Sequence, residues 1–146
     1  MKKSVAVSIL LLLGSSVVSA QSVAPALSAD NHMRACEQED HVCQATRSEF
    51  KASFPKAFAG EHEAQRNVSS CLTNGCDDAV QRNRVLGCAW RLMIIKFMAD
   101  APELADKTFF SANCTGSLTD ADIDQIEKQA DGLLHAVYRK SMQLPD

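Results

Sequence analysis

Apolar residues recur along this chain at three- and four-residue intervals, and no stretch alternates as a half-buried strand does. Phe50, Phe54 and Phe58 are spaced by four and fall on one helical face. Pro55 interrupts them, so the pattern predicts a helix ending near Ser53 or Phe54, then a further turn to Ala59 that stops at Gly60. A second helix is expected from about Glu61 to Leu72, with Ala64, Val68, Cys71 and Leu72 as its stripe. Thr73-Asn74-Gly75 ends it, because Asn and Gly tolerate the left-handed conformation in which helices often stop. Residues 77–83 read as a polar connector.

From about Arg84 to Met98 the chain is apolar on nearly every face: Val85, Leu86, Trp90, Leu92, Met93, Ile94, Ile95 and Phe97 cannot all point one way. Such a helix is expected at the centre of a bundle, with Trp90 in the core. Asp100 and Pro102 then signal the start of a short helix carrying Leu104, Phe109 and Phe110, which dissolves over residues 111–116. Thr119 stands three residues before Asp122, a capping box with Asp in place of Glu. Ile123, Ile126, Ala130, Leu133, Leu134, Val137 and Tyr138 follow at helical spacing to about Met142. The fold predicted is all-α, a small bundle of five or six helices.

The first twenty residues change the setting. Lys2 and Lys3, an apolar run and a small-x-small site at Val18–Ala20 have the order of a secretory signal peptide, with cleavage expected after Ala20. Residues 21–146 are then one α-helical domain, opened by a loose leader at 21–29. Removing the two lysines leaves 13 basic against 18 acidic residues, a net charge of −5. That balance argues against nucleic acid or an anionic membrane as partner. No later segment is long and uncharged enough to cross a bilayer, so no membrane association is expected after cleavage, and the protein is placed in the periplasm or outside the cell.

All six cysteines (Cys36, Cys43, Cys71, Cys76, Cys88 and Cys114) lie beyond the signal, and an even number in a small exported chain reads as a disulfide framework. Reach narrows the pairings. On one straight helix Cys36 and Cys43 would stand about 10 Å apart and Cys71 and Cys76 about 7.5 Å, whereas a bridge needs Cα atoms within about 7 Å. A Cys36–Cys43 bridge therefore requires a chain reversal between them. Asn74-Gly75 supplies one for Cys71–Cys76, and Cys88 and Cys114 remain for each other. The alternative is a metal bound by Cys36, His41 and Cys43 or by Cys71 and Cys76, but neither group completes a zinc pattern.

Ala57, Gly60, Ala64, Gln65, Asn67, Val68 and Gly75, followed by Gly87 three residues before Trp90, form a pattern of their own. Over residues 57–96 it resembles a single Sel-1-like repeat, a relative of the tetratricopeptide repeats whose units read approximately A-x-x-G-x-x-x-A-Q-x-N-L-G-x-x-Y-x-x-G. Ser69 stands where that pattern has Gly and Leu72 where it has Tyr. The resemblance implies two antiparallel helices brought close by small residues. It also implies a surface that binds protein.

Catalytic signatures are weak. Glu61-His62-Glu63 is not followed by a second histidine at metalloprotease spacing, and acids at a helix start favour its dipole. Asp120, Asp122 and Asp124 lack the glycine and glutamate of a calcium loop, with Gln125 and Asp131 in their places. His135 flanks the last apolar stripe, where partial burial is expected. Asn67 and Asn113 open glycosylation-type triplets. Arg66, Arg82, Arg84 and Arg91 are the candidate partner-binding residues, at least three of them expected to be solvated. No catalytic residue, cofactor or metal is predicted. The function expected is an exported, non-enzymatic protein-binding module. The alternatives are a periplasmic immunity protein that neutralises a toxin and an enzyme of the cell wall using Glu61, His62 and Glu63.

Overall fold

A computed structural model describes residues 28–98, 103–116 and 118–139. The expected signal peptide, residues 21–27 of the expected leader, and the Asp100–Pro102 start signal lie outside those residues. A short 3-10 helix, Ala29–His32, is followed by α1 (His41–Phe58), α2 (His62–Asn74), α3 (Arg84–Phe97), α4 (Leu104–Cys114) and α5 (Asp120–Tyr138). Among the described residues there is no strand, and the only β pairing is an isolated bridge between Met33 and Val80. The fold is the all-α, disulfide-stapled bundle that the pattern predicts.

α3 is central. It packs against α2, α4 and α5, and α1, seated mainly on α2, touches it through Phe58. Cys88, Ala89, Trp90, Met93 and Ile94 of α3 are each at most 1 % exposed. They meet Val68 and Leu72 of α2, Ile126 and Ala130 of α5, and Phe50 and Phe54 of α1 in one core. The α1 phenylalanines form a ladder, with Phe54 5.6 Å from Phe50 and 5.4 Å from Phe58, whose ring sets its edge on Trp90 at 5.0 Å.

That ladder explains a difference from the sequence reading. α1 does not break at Pro55 but runs through it to Phe58. Proline removes one backbone donor and crowds the preceding turn. Its ring is exposed, and continuing the helix keeps Ala57 and Phe58 in line with Phe54 against the core. α4 is likewise longer than expected, remaining helical through Cys114. α5 closes at Tyr138 with Arg139 left-handed at φ 58°. The leader is not wholly loose: Ser28 caps the 3-10 helix and Ala29 is buried.

All three bridges form as reach requires: Cys36–Cys43, Cys71–Cys76 and Cys88–Cys114, with Cα separations of 5.7, 4.8 and 5.7 Å. The first closes a turn at Glu37–Asp40, where the Asp40 carboxylate accepts from the Cys43 amide at 2.9 Å and starts α1. The last ties the end of α4 to the second turn of α3. Thr119 and Asp122 make the reciprocal capping box that begins α5.

The connector after α2 is not simply polar. Ala79 and Val80 are buried. The residues before them wind left-handed in succession, with φ of 93° at Gly75, 41° at Cys76, 54° at Asp77 and 57° at Asp78. Only glycine adopts that region without steric cost.

Candidate functional site

α2 is flanked by α1 on one side and α4 on the other, and the space above it is an open groove of about 700 Å³. Glu49, Ser53 and Lys56 of α1 form one wall, and Ala105 and Phe109 of α4 the other. The floor is α2, presenting Ala64, Asn67, Ser70 and Cys71, with Glu61 and Glu63 at its start. The helical spacing that turns Phe50 and Phe54 into the core turns Glu49, Ser53 and Lys56, four and three residues apart, towards this groove.

Beneath the α4 wall lies a buried cluster of charges from three helices. Asp106 is 1 % exposed and Arg91 4 %. Arg91 donates through Nη1 to Asp106 Oδ1 at 2.6 Å, and Arg66 through Nη2 to Asp106 Oδ2 at 2.7 Å. Arg66 also pairs with Glu63 at 2.6 Å and Glu103 at 2.9 Å. Arg91 is satisfied further by Ser69, Ser70 and the Arg66 carbonyl, each at 3.2 Å, and lies 3.9 Å over the Phe109 ring. Ser69 in turn donates to the Gly87 carbonyl at 2.8 Å.

Burial alone raises the Asp106 pKa, but the hydrogen bonds from Arg66 and Arg91 outweigh it and hold the carboxyl below its ordinary value. The bonds from Asp106 and Glu103 raise that of Arg66. Burial lowers that of Arg91, against the pull of Asp106; a guanidinium nevertheless keeps its charge in a protein. The cluster is internally neutralised, and its groups are occupied in fastening α4 to α2 and α3.

The four candidate arginines therefore separate. Arg66 and Arg91 belong to this cluster, and Arg84 donates through Nε to the Asn113 carbonyl at 2.6 Å. Only Arg82 is exposed, and it lies alongside Gly75. The expectation that at least three would be solvated is corrected: Arg66 and Arg91 are drawn in by the Asp106 carboxylate of α4, and Arg84 by a backbone carbonyl at the end of the same helix. Asp106 went unnoticed in the sequence. Its signal is its position, three and four residues before Phe109 and Phe110, which puts an acid on the apolar face of α4.

The remaining candidates are dispersed. Glu61 and Glu63 are exposed and border the groove, whereas the half-buried His62 sets its ring edge-on against Phe97 at 5.9 Å. His135 is exposed rather than partly buried, because it lies one residue past the buried Leu134. Asp122 is the cap of α5, its carboxyl held below the ordinary value first by the Thr119 backbone amide and then by the Thr119 hydroxyl. Asn67 donates to Glu49 and Asn113 to the Phe109 carbonyl. Cys36 and Cys43 are bonded to each other, and no cysteine among the described residues is free. No group of three His, Cys, Asp or Glu among the described residues is placed to hold a metal.

No family model matches the chain, and comparisons with curated proteins and with solved structures give no match either.

Proposed function

We propose that this chain is an exported, non-enzymatic module that holds a segment of another protein in the groove over α2. The observation that carries the reading is the groove itself. It is open to solvent, three helices line it, and its volume of about 700 Å³ leaves room for side chains of another polypeptide segment. Arg66 and Arg91 are neutralised by Asp106, Glu103 and Glu63. Among the remaining lining residues that leaves Glu49 and Glu61 against Lys56. The excess of carboxylate favours a segment bearing lysine or arginine.

The setting supports export. Three disulfides suit an oxidising compartment, and no helix among the described residues is long and apolar enough to cross a membrane. The hairpin of α2 and α3 supports the Sel-1-like reading. A Cβ on Gly87 would come within 2.9 Å of the Ser69 carbonyl oxygen and the Thr73 amide nitrogen, so these helices touch where the repeat pattern has a small residue.

The test reverses the groove's charge. The variant Glu49→Lys/Glu61→Lys/Glu63→Lys, checked for unchanged helix content, loses capture of the partner from a periplasmic extract. Reversal of Glu37, Glu39 and Glu127, exposed elsewhere, does not. Equal capture by both variants rejects the groove as the docking surface.

A further inference from the structure

The left-handed run after α2 needs an agent to hold it. Three consecutive non-glycine residues, Cys76, Asp77 and Asp78, have positive φ, where a side chain crowds its own carbonyl. Both ends of the segment are fixed without sulfur. Upstream, Leu72 is fully buried and its carbonyl accepts from the Asn83 amide at 2.7 Å. Downstream, the Ala79 carbonyl accepts from the Arg34 amide at 2.9 Å, and the Gln81 amide donates to the His32 carbonyl at 2.7 Å. Between those anchors, short-range bonds from the Cys76 amide to Asn74, from Ala79 to the Cys76 carbonyl and from Val80 to the Gly75 carbonyl trace the turn, and two exposed side-chain contacts touch it, Thr46 donating to Asp77 at 3.0 Å and Arg34 lying 3.8 Å from Asp78. The Cys71–Cys76 bridge is the covalent tie across it.

That bridge borders the groove. Cys71 and Cys76 both line it, and Cys76 is only half-buried. Cys88 and Cys114 are 0 % exposed. An attacking thiolate thus reaches the Cys76 sulfur from the groove side and cannot reach the α3–α4 bridge without opening the core.

We propose that the Cys71–Cys76 disulfide is a redox latch on the docking groove, an inference that rests on the docking reading above. A dithiol reductant attacks Sγ of Cys76, and Cys71 leaves as a thiolate and takes a proton. The second thiol of the reductant then displaces Cys76, so the reductant ends as a disulfide and the protein as two thiols. Residues 75–78 are then released to ordinary backbone conformations between their fixed ends. The core stays intact while the edge of the groove loses its shape. The oxidised chain docks its partner, and the reduced chain docks it more weakly because the surface is no longer preorganised. By linkage, an occupant of the groove makes the bridge harder to reduce by the same factor.

The full oxidised chain is titrated with dithiothreitol, trapped by alkylation and mapped by mass, with amide spectra recorded in parallel. Cys71 and Cys76 are expected to label at a reductant concentration about tenfold or more below that for Cys88 and Cys114. Cys36–Cys43, whose Cys36 is also half-buried, is scored by its own alkylation; apart from shifts at residues 33–44 that follow its opening, helix content should be unchanged and amide shifts confined to residues 71–80 and the groove residues Asn67, Ser70 and Ser53. Asp78→Gly removes the cost of one left-handed residue and should raise the half-point for Cys71–Cys76 by about threefold. A decalysine peptide should bind the Cys71→Ser/Cys76→Ser variant more weakly than the oxidised chain.

Joint opening of the Cys71–Cys76 and Cys88–Cys114 bridges, shifts that stop short of the groove, or an unmoved half-point in Asp78→Gly each overturns the latch. Equal decalysine binding by the oxidised chain and the double serine variant overturns its control of docking. Alkylation and amide shifts need no partner, so a failed docking reading appears separately, as decalysine binding that does not respond to charge reversal in the groove.

Discussion

Replacing Asp106 by alanine should destabilise this protein more than its place on a short, largely exposed helix would indicate. The carboxylate is 1 % exposed and accepts from two guanidinium groups at 2.6 and 2.7 Å. Its loss leaves Arg91, itself 4 % exposed, charged and without its ion-pair partner. Breaking a buried pair in this way costs about 3–5 kcal/mol. Arg66 adds little, because its side chain is 17 % exposed and keeps Glu63 and Glu103. At about 4 °C per kcal/mol for a domain of this size, the melting temperature falls by about 12–20 °C. Urea unfolding of the oxidised protein, with an unchanged m-value, measures the free energy. The double variant Asp106→Leu/Arg91→Met removes both charges and should recover to within about 2 kcal/mol of the parent.

The acid limb adds a signed test. The folded carboxyl lies below its ordinary value. Its contribution is present above about pH 4, the unfolded pKa, and is lost as pH falls through the lower, folded value. Asp106→Asn should flatten that limb. A cost below about 1 kcal/mol for Asp106→Ala, or additivity in the double variant, refutes the buried-pair reasoning.

Gly87→Ala should lower the melting temperature by the equivalent of about 1–3 kcal/mol, since its Cβ would press on backbone atoms of α2 2.9 Å away. Gly132→Ala on α5, where a Cβ meets nothing within 4 Å, should raise stability by up to about 1 kcal/mol in the same melts. Removing the Cys88–Cys114 bridge, whose ends are 26 residues apart, should cost about 3–4 kcal/mol by urea unfolding, and more than removing Cys71–Cys76. Thr119→Ala should cost about 1 kcal/mol by breaking the capping box of α5; no change would mean that the cap is redundant.

What the sequence made legible was local. Thr119 and Asp122 stand three apart and cap each other because capping is decided within one turn. Gly75 stops α2 because its conformational freedom is its own property. The three bridges followed from reach, since short separations leave few geometries. What it hid was tertiary. Arg66 and Arg91 find Asp106 40 and 15 residues away, and no short spacing records such a meeting. Pro55 misled because local chemistry forbids what a phenylalanine ladder across three turns rewards. Fully buried Gln65 is another such case: its Nε2 donates to the Ala57 carbonyl at 3.1 Å and meets the Tyr138 hydroxyl at 2.9 Å, closing α5 onto the turn before α2. The groove was invisible for the same reason, because its walls come from helices that the chain brings together only on folding.

Docking over α2 is tested most directly by a photocrosslinking residue placed at Ser53, inside the groove, and separately at Glu127, exposed on α5. Each protein is irradiated in the cell that expresses it. The account predicts a discrete crosslinked polypeptide from position 53, lost when Glu49, Glu61 and Glu63 are reversed in charge, and none from position 127. Crosslinking from position 127 with none from position 53 would contradict it.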